Sequence, residues 1–228
     1  MSENGEPGLC PRASIQDTWN PVRMGMKQYV SKVIGSPVGP LKLVASDEGL
    51  AAILWKGDSP RRVRLSAVVE DETQTHSILV ETERQLREYF AGQRTVFTVK
   101  LDFAGTHFQR RVWAALLTIP HGQTRSYAQI AKQIGNPAAV RAVGAANGRN
   151  PISIIAPCHR VVGSSGQLTG FAGGLDTKAR LLALEASEGA TPHGSQSRHP
   201  LPKQLGKRHV ALEPQRALTL SSDLPKDV

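Results

Sequence analysis

The 228-residue chain is poor in sulfur nucleophiles: it has two cysteines, Cys10 and Cys158. Two thiols exclude a disulfide-stapled scaffold and any site that needs four cysteine ligands. Long apolar runs are missing as well. No stretch approaches the roughly 20 residues needed to cross a bilayer, so no membrane partner is expected. The first 25 residues are polar and dotted with Pro and Gly, without the apolar core of a secretory signal. A reducing, cytoplasmic setting is the simple expectation. His76, His107 and His121 have no paired ligand spacing, so no metal is expected.

Acidic residues are scarce in one region. Residues 105–185 hold 9 Lys/Arg against 2 Asp/Glu, a net +7 of the chain's +9. Residues 26–104 are close to neutral, with 11 basic and 10 acidic groups. A basic stretch of this kind suits a polyanion, with salt-dependent binding, or is an ordinary basic surface.

Four segments follow from composition. Residues 1–25 read as a disordered leader, and residues 189–228 as a disordered basic tail punctuated by Pro192, Pro200, Pro202, Pro214 and Pro225. The folded body is expected to begin near Met24 or Met26. Residues 26–104 read as a sheet-and-helix domain. Tyr29–Ile34, Leu41–Ala45 and Ala51–Trp55 carry strand patterns, Val63 and Leu65 suggest another strand, and turn residues separate the first three. A helix then places Leu79, Leu86 and Phe90 on one face and ends at Gly92.

Residues 105–188 read as mainly helical. Thr106 with Gln109, and Ser126 with Gln129, have capping-box spacing. Phe108, Val112, Ala115, Leu116 and Ile119 recur at helical intervals. Gly135 breaks the helix that begins near Tyr127. Asn136 is placed to cap the next helix, with Pro137 at its first position. Two short helices around a tight glycine turn outline a helix-turn-helix. The second helix, Ala138 to about Gly148, is built from small residues, including Ala139, Ala142 and Gly144. It suits close approach to a groove, or close packing on a neighbouring helix. Arg110 and Arg111 suit phosphate or a solvated face equally, and Trp113 reads as core.

Pro157-Cys158-His159-Arg160 lies between two strand-like apolar runs, Ile152–Ile155 and Val161–Val162. Basic neighbours favour a thiolate, which is the nucleophilic form. Glu185, on a helix with Leu181 and Leu182, is placed to orient His159. From the residues alone, three other readings stay open: a DNA-damage sensor without transfer chemistry, a cysteine hydrolase with a Cys-His-Glu relay, and a structural cysteine.

The run Arg141-Ala142-Val143-Gly144-Ala145-Ala146-Asn147, then Asn150-Pro151, then Pro157-Cys158-His159-Arg160-Val161-Val162-Gly163 resembles the methylated-DNA–protein-cysteine methyltransferases, the O6-alkylguanine-DNA alkyltransferases. Phe108-Gln109, Val112-Trp113, Tyr127, Gly170-Phe171-Ala172-Gly173-Gly174, Leu181-Leu182 and Glu185 extend the match, which runs from about 28 to 186. The resemblance implies an α+β fold: a small, mainly antiparallel N-terminal sheet with a helix, and an α-helical C-terminal domain containing the helix-turn-helix. It implies a single-turnover suicide enzyme of DNA repair. The alkyl group of O6-alkylguanine, and of O4-alkylthymine, passes to the protein's own Cys158 without a cofactor.

The partner implied is double-stranded DNA, approached by a monomer through the minor groove with the damaged base flipped out. Cytoplasm or nucleoid is the expected location. Cys158 matches the acceptor, His159 the base acting through water, Glu185 its orienting partner, Tyr127 the phenol facing the base, and Asn150 the brace of the reactive loop. Arg141 matches the residue that fills the vacated stack, beside Ala139, Ala142 and Gly144 on the DNA-facing helix. The Cys158 and Val161 carbonyls would accept from the guanine amino group, and the Ala172 N–H would face O6. Two positions depart from the family. Phe171 lacks the hydroxyl of the usual tyrosine, and Ser153 stands where some members place proline; both bear on the alkyl range. Cys10 has no partner cysteine for the zinc that some eukaryotic members bind.

Overall fold

The computed structural model describes residues 27–188. The expected leader and tail lie outside the described residues, as does Cys10. Four strands form the first sheet: β1 (Tyr29–Ile34), β2 (Leu41–Ser46), β3 (Gly49–Trp55) and β4 (Val68–Glu70), in the order β3-β2-β1-β4. The β1–β2 and β2–β3 pairs are antiparallel, while β4 joins β1 in parallel. Gly39, at φ +100°, supplies the left-handed residue of the first turn.

The expected strand at Val63 and Leu65 does not form. Val68–Glu70 takes the edge beside β1 instead. Val63 and Leu65 are half-buried against Tyr29, Val44, Ala51 and Ala52, so their apolar side chains are covered without a ladder. The other edge of the sheet is occupied as well. Leu50 N–H donates to Lys100 O at 2.8 Å, Asp102 N–H donates to Leu50 O at 2.8 Å, and Ile53 N–H donates to Pro151 O at 2.9 Å. These bonds tie residues 100–102 and the reactive loop to β3, and satisfy an edge that would otherwise be open.

Helix α1 (Ser77–Phe90) buries Leu79, Thr82, Gln85, Leu86 and Tyr89. Tyr89 joins the expected Phe90 on the inner face: the helical phase of Leu79, Thr82 and Leu86 buries Tyr89 fully, and Phe90 packs half-buried against the same core. Helices α2 (His107–Leu117) and α3 (Tyr127–Gln133) both begin with reciprocal capping boxes, at Thr106/Gln109 and Ser126/Gln129. Gly135, at φ +71°, turns the chain into α4 (Val140–Gly148).

The start of α4 differs from expectation. Ala139 is its N-cap, and Asn136 makes no side-chain cap. The Asn136 carbonyl instead accepts from Ala139 N–H at 3.0 Å, which uses residues 136–139 as a turn. A two-strand parallel pair, β5 (Arg125–Ser126) with β6 (Val161–Val162), and helix α5 (Leu175–Glu188) complete the fold.

Besides the small cluster around Tyr29, Val44, Ala51 and Ala52, two larger apolar clusters result. One holds β1–β3, the α1 face, Ile152, Ile154, Ile155 and Leu181. The other holds Val112, Trp113, Leu116, Ile130, Val143, Cys158 and Val161. Trp113 is core, as expected, and its indole donates to Ala146 O at 2.9 Å. The reactive segment thus passes from one core to the other. Among the described residues, no helix is long and apolar enough to cross a membrane.

Candidate active site

The apolar run before Cys158 is not the expected strand. Ile152 makes one bridge to Ile53, and then the chain turns. Asn150 organises the turn: its Nδ2 donates to Ala156 O at 2.7 Å and its Oδ1 accepts from Ile152 N–H at 3.1 Å. Ile154 sits at φ +73°, a region costly for a β-branched residue. Burial of Ile152, Ile154 and Ile155 in the first core offsets that strain. Apolar content alone does not distinguish such a buried turn from a strand.

Cys158, His159 and Arg160 form a single 3-10 turn, and all three are buried. The Cys158 carbonyl accepts from Val161 N–H within this turn. Glu185 reaches the turn from α5 and is a hub. Its Oε1 accepts from His159 Nε2 at 2.8 Å, Tyr89 Oη at 2.8 Å and Arg160 Nη2 at 2.9 Å. Its Oε2 accepts from Arg160 Nε at 2.8 Å and Gly122 N–H at 3.2 Å. Burial alone would raise this carboxyl's pKa. The donors from His159 and Arg160 overcome it and hold the group far below the usual carboxylate range.

An ionised carboxylate only accepts, so Nε2 of His159 carries the proton and Nδ1 the lone pair. That Nδ1 is buried and makes no hydrogen bond within the protein. Burial lowers the imidazole's pKa, against the pull of Glu185, so the ring is neutral.

Cys158 is raised by burial, with hydrogen bonds from Asn150 and Ser153 and the charges of Arg62 and Lys178 opposing. Lys178 is wholly buried on α5. Its Nζ donates to Val161 O at 2.5 Å and to Thr169 O at 2.7 Å, and burial brings its pKa down to about 8. The Val161 carbonyl expected to face guanine therefore already has one donor. Arg62, paired with Asp58, donates to the carbonyls of Ile53 and Asn150.

The other expected residues lie on α3, on α4 and its N-cap, and in the loop before α5. Tyr127 opens α3, and its hydroxyl accepts from Thr169 Oγ1 at 3.1 Å. A Cβ on Gly144 would lie 3.9 Å from the Tyr127 ring. Arg141 and Ala142 are exposed on α4, and Ala139 and Gly144 are half-buried. Phe171 is half-buried, edge-on to Trp55 at 5.4 Å and to His159 at 6.4 Å, and Ala172 is exposed beside it. Arg111 caps the end of α3 through Ile134 O, and Arg110 donates to Gly105 O at 2.8 Å.

Four residues in contact with the site were not singled out from sequence: Tyr89, Arg62, Lys178 and Trp55. Lys178 had a readable signal. Lys178, Leu181 and Glu185 share one face at i, i+3 and i+7, so a lysine stands on a buried stripe. No cluster of metal-ligating side chains occurs among the described residues.

Fold and site together define a two-part α+β protein with a cysteine–histidine–glutamate cluster beside a helix-turn-helix. Residues 30–103 match the ribonuclease-like domain, and residues 107–187 the DNA binding domain, of 6-O-methylguanine DNA methyltransferase. The methylated-DNA–protein-cysteine methyltransferase of Methanosarcina acetivorans is 51% identical over 156 residues, covering 68% of this chain and 97% of its own. That of Mycobacterium leprae is 50% identical over 150 residues, covering 66% and 88%. The crystal structure of Mycobacterium tuberculosis OGT in complex with DNA is 48% identical, covers 71% of this chain and 94% of its own, and superposes with a TM-score of 0.63. The chain belongs to the 6-O-methylguanine DNA methyltransferase family.

Proposed function

We propose that the protein repairs DNA by moving the alkyl group of O6-alkylguanine, and of O4-alkylthymine, onto Cys158 in one displacement. The observation that carries this reading is His159, next to Cys158 in the same turn, with Nε2 locked to Glu185 at 2.8 Å and Nδ1 buried without a partner. A water between Nδ1 and the thiol takes the cysteine proton. The imidazolium that forms is stabilised by Glu185, which is already ionised.

The thiolate attacks the alkyl carbon and a C–S bond forms. The C–O6 bond breaks, its electron pair goes to the purine, and the Tyr127 phenol offsets that charge by donating toward the base. The product thioether is not an activated acyl group, so the protein acts once. Thiol, base and acceptor all belong to chain and substrate, and the step as written calls for no cofactor.

Duplex DNA is the partner, bound in the minor groove by one copy of the chain. In support, α4 turns Arg141 and Ala142 to solvent and has small residues elsewhere, which lets its backbone come close. Arg141 fills the stack when the base leaves. The basic excess of residues 105–185 supplies phosphate attraction in the cytoplasm or nucleoid. Residues 26–104 and 105–188 act as scaffold and reaction domain.

The test is mass spectrometry after mixing with duplex DNA containing O6-methylguanine. The Cys158 peptide should gain about 14 Da, one methyl replacing one hydrogen. An unmodified protein that still binds the lesion would instead point to a sensor, and repeated turnover of an ester to a hydrolase.

A further inference from the structure

Tyr127 is held at both ends. Its backbone opens α3, where the Ser126/Gln129 capping box fixes the first turn, and Ser126 pairs with Val162 of β6, just past the reactive turn. The tip of its half-buried ring meets the loop before α5, and the phenol oxygen accepts from Thr169 Oγ1 at 3.1 Å. That bond fills an acceptor position of the phenol. Its own hydrogen is left to be placed, because among the described residues the Tyr127 hydroxyl makes no other hydrogen bond.

Thr169 is fixed in turn. Its carbonyl accepts from the buried Lys178 Nζ at 2.7 Å, and the same Nζ donates to Val161 O at 2.5 Å, so one amino group pins the loop residue to β6. The bonds close a ring: Tyr127 to Thr169, Thr169 to Lys178, Lys178 to Val161, and β6 back to Ser126 through the β5–β6 ladder. Between β6 and Thr169 the loop is closed on itself, since Gly163 N–H donates to Gln167 O and Gly166 N–H donates to Gly163 O, both at 2.9 Å.

We infer that Thr169 is the positioning residue of the Tyr127 phenol: by donating to the phenol oxygen, it turns the phenol's own hydrogen away from the loop and toward the flipped base. The donated bond also polarises the phenol O–H, because hydrogen bonds in a chain strengthen one another. Methyl transfer leaves negative charge on the purine, and a donor aimed beforehand at that charge lowers the barrier. Thr169 acts through Tyr127 and not on the sulfur or the alkyl carbon. The inference rests on the proposed transfer reaction for its kinetic consequence, and on the Thr169–Tyr127 bond for its structural one.

The experiment uses the full chain. Thr169→Val keeps the shape and removes the hydroxyl, and Thr169 is exposed, so the change disturbs no core packing. Thr169→Ser keeps the hydroxyl. Single-turnover methyl transfer from an O6-methylguanine duplex yields a rate constant at saturating DNA and a half-saturating DNA concentration. Thr169→Val should lower the rate constant about three- to tenfold, the worth of one neutral hydrogen bond, and leave the half-saturating concentration unchanged. Thr169→Ser should restore most of the rate. Tyr127→Phe should be slower than Thr169→Val, and the double variant no slower than Tyr127→Phe. Tyrosine labelled with an NMR-active carbon at Cζ reports the bond without DNA. The Tyr127 resonance should move in Thr169→Val and stay near its wild-type place in Thr169→Ser.

A Thr169→Val rate constant equal to wild type, a fully additive loss in the double variant, or an unmoved Tyr127 resonance would overturn the assignment. So would a Thr169→Val chain whose only defect is weaker DNA binding. A wild-type chain that takes no methyl sinks the repair reading instead, and the Tyr127 resonance still judges the bond.

Discussion

Glu185 accepts five hydrogen bonds from four residues, which come from three separate segments of the chain. His159 and Arg160 adjoin the cysteine, and Gly122 lies in the turn after α2. Tyr89 is the most distant, 96 residues away on α1. No local pattern announces that contact; only packing of α1 against the centre creates it. Tyr89→Phe keeps the ring and its packing and removes one donor from a buried anion. A bond to a charged group is worth about 1.5–3 kcal/mol, so urea unfolding should show a loss of that size. With one donor fewer, Oε1 keeps more charge for His159, the imidazole becomes more basic, and the acid limb of the transfer profile moves to higher pH. An unmoved limb would assign Tyr89 to packing alone.

At the scale of elements, two glycines give opposite expectations. A Cβ on Gly144, inside α4, would stand 3.9 Å from the Tyr127 ring, an ordinary contact. Gly144→Ala should therefore stabilise the helix by up to about 1 kcal/mol and leave the Tyr127 ring in place. A Cβ on Gly173 would stand 2.8 Å from the Trp55 ring, so ring or loop must move. Gly173→Ala should destabilise by about 1–3 kcal/mol and disturb the Trp55–Phe171 wall. Thermal melts with single-turnover rates check both, and a stabilised Gly173→Ala would contradict this close packing of loop on ring.

The same scale shows what sequence could convey. Both capping boxes were legible, because Thr106/Gln109 and Ser126/Gln129 satisfy helix ends locally. Cys158, His159 and Glu185 were legible through motif and elimination, and the structure brings them together. The parallel strand β4 was not, since three residues beside an acidic turn carry little periodicity. The Asn136-Pro137 signal belonged to a turn before α4, and the isoleucine run before Cys158 to a strained, buried turn. For β4 and for the isoleucine run a long-range contact decides the conformation, whereas at Asn136 a local turn bond from Ala139 N–H does.

For the whole molecule, the two apolar cores meet around a buried acid–base pair, and stability should follow its titration. Burial keeps His159 neutral below its ordinary pH range, and its donors keep Glu185 ionised far below the ordinary carboxylate range. Both folded-state pKa values lie under their unfolded values, so the unfolded chain binds more protons as pH falls, and acid favours unfolding. This part of the stability is fully present above about pH 6.5, the ordinary histidine value. It declines first as the unfolded-state histidine protonates, and again below about pH 4.5, where an unfolded glutamate does. Glu81, held down to about 2 by Arg84 and Gln85, acts with the same sign but is exposed, so salt should screen its share. Urea unfolding between pH 7 and 4, at low and high salt, separates the two. A slope that survives high salt belongs to the buried pair, and Glu185→Gln should flatten its lower stage while weakening the fold at pH 7, because Arg160 loses its partner. A wild-type stability that stays level from pH 7 to 4 would mean that the carboxylate and the imidazole do not hold the two halves together in the way their geometry indicates.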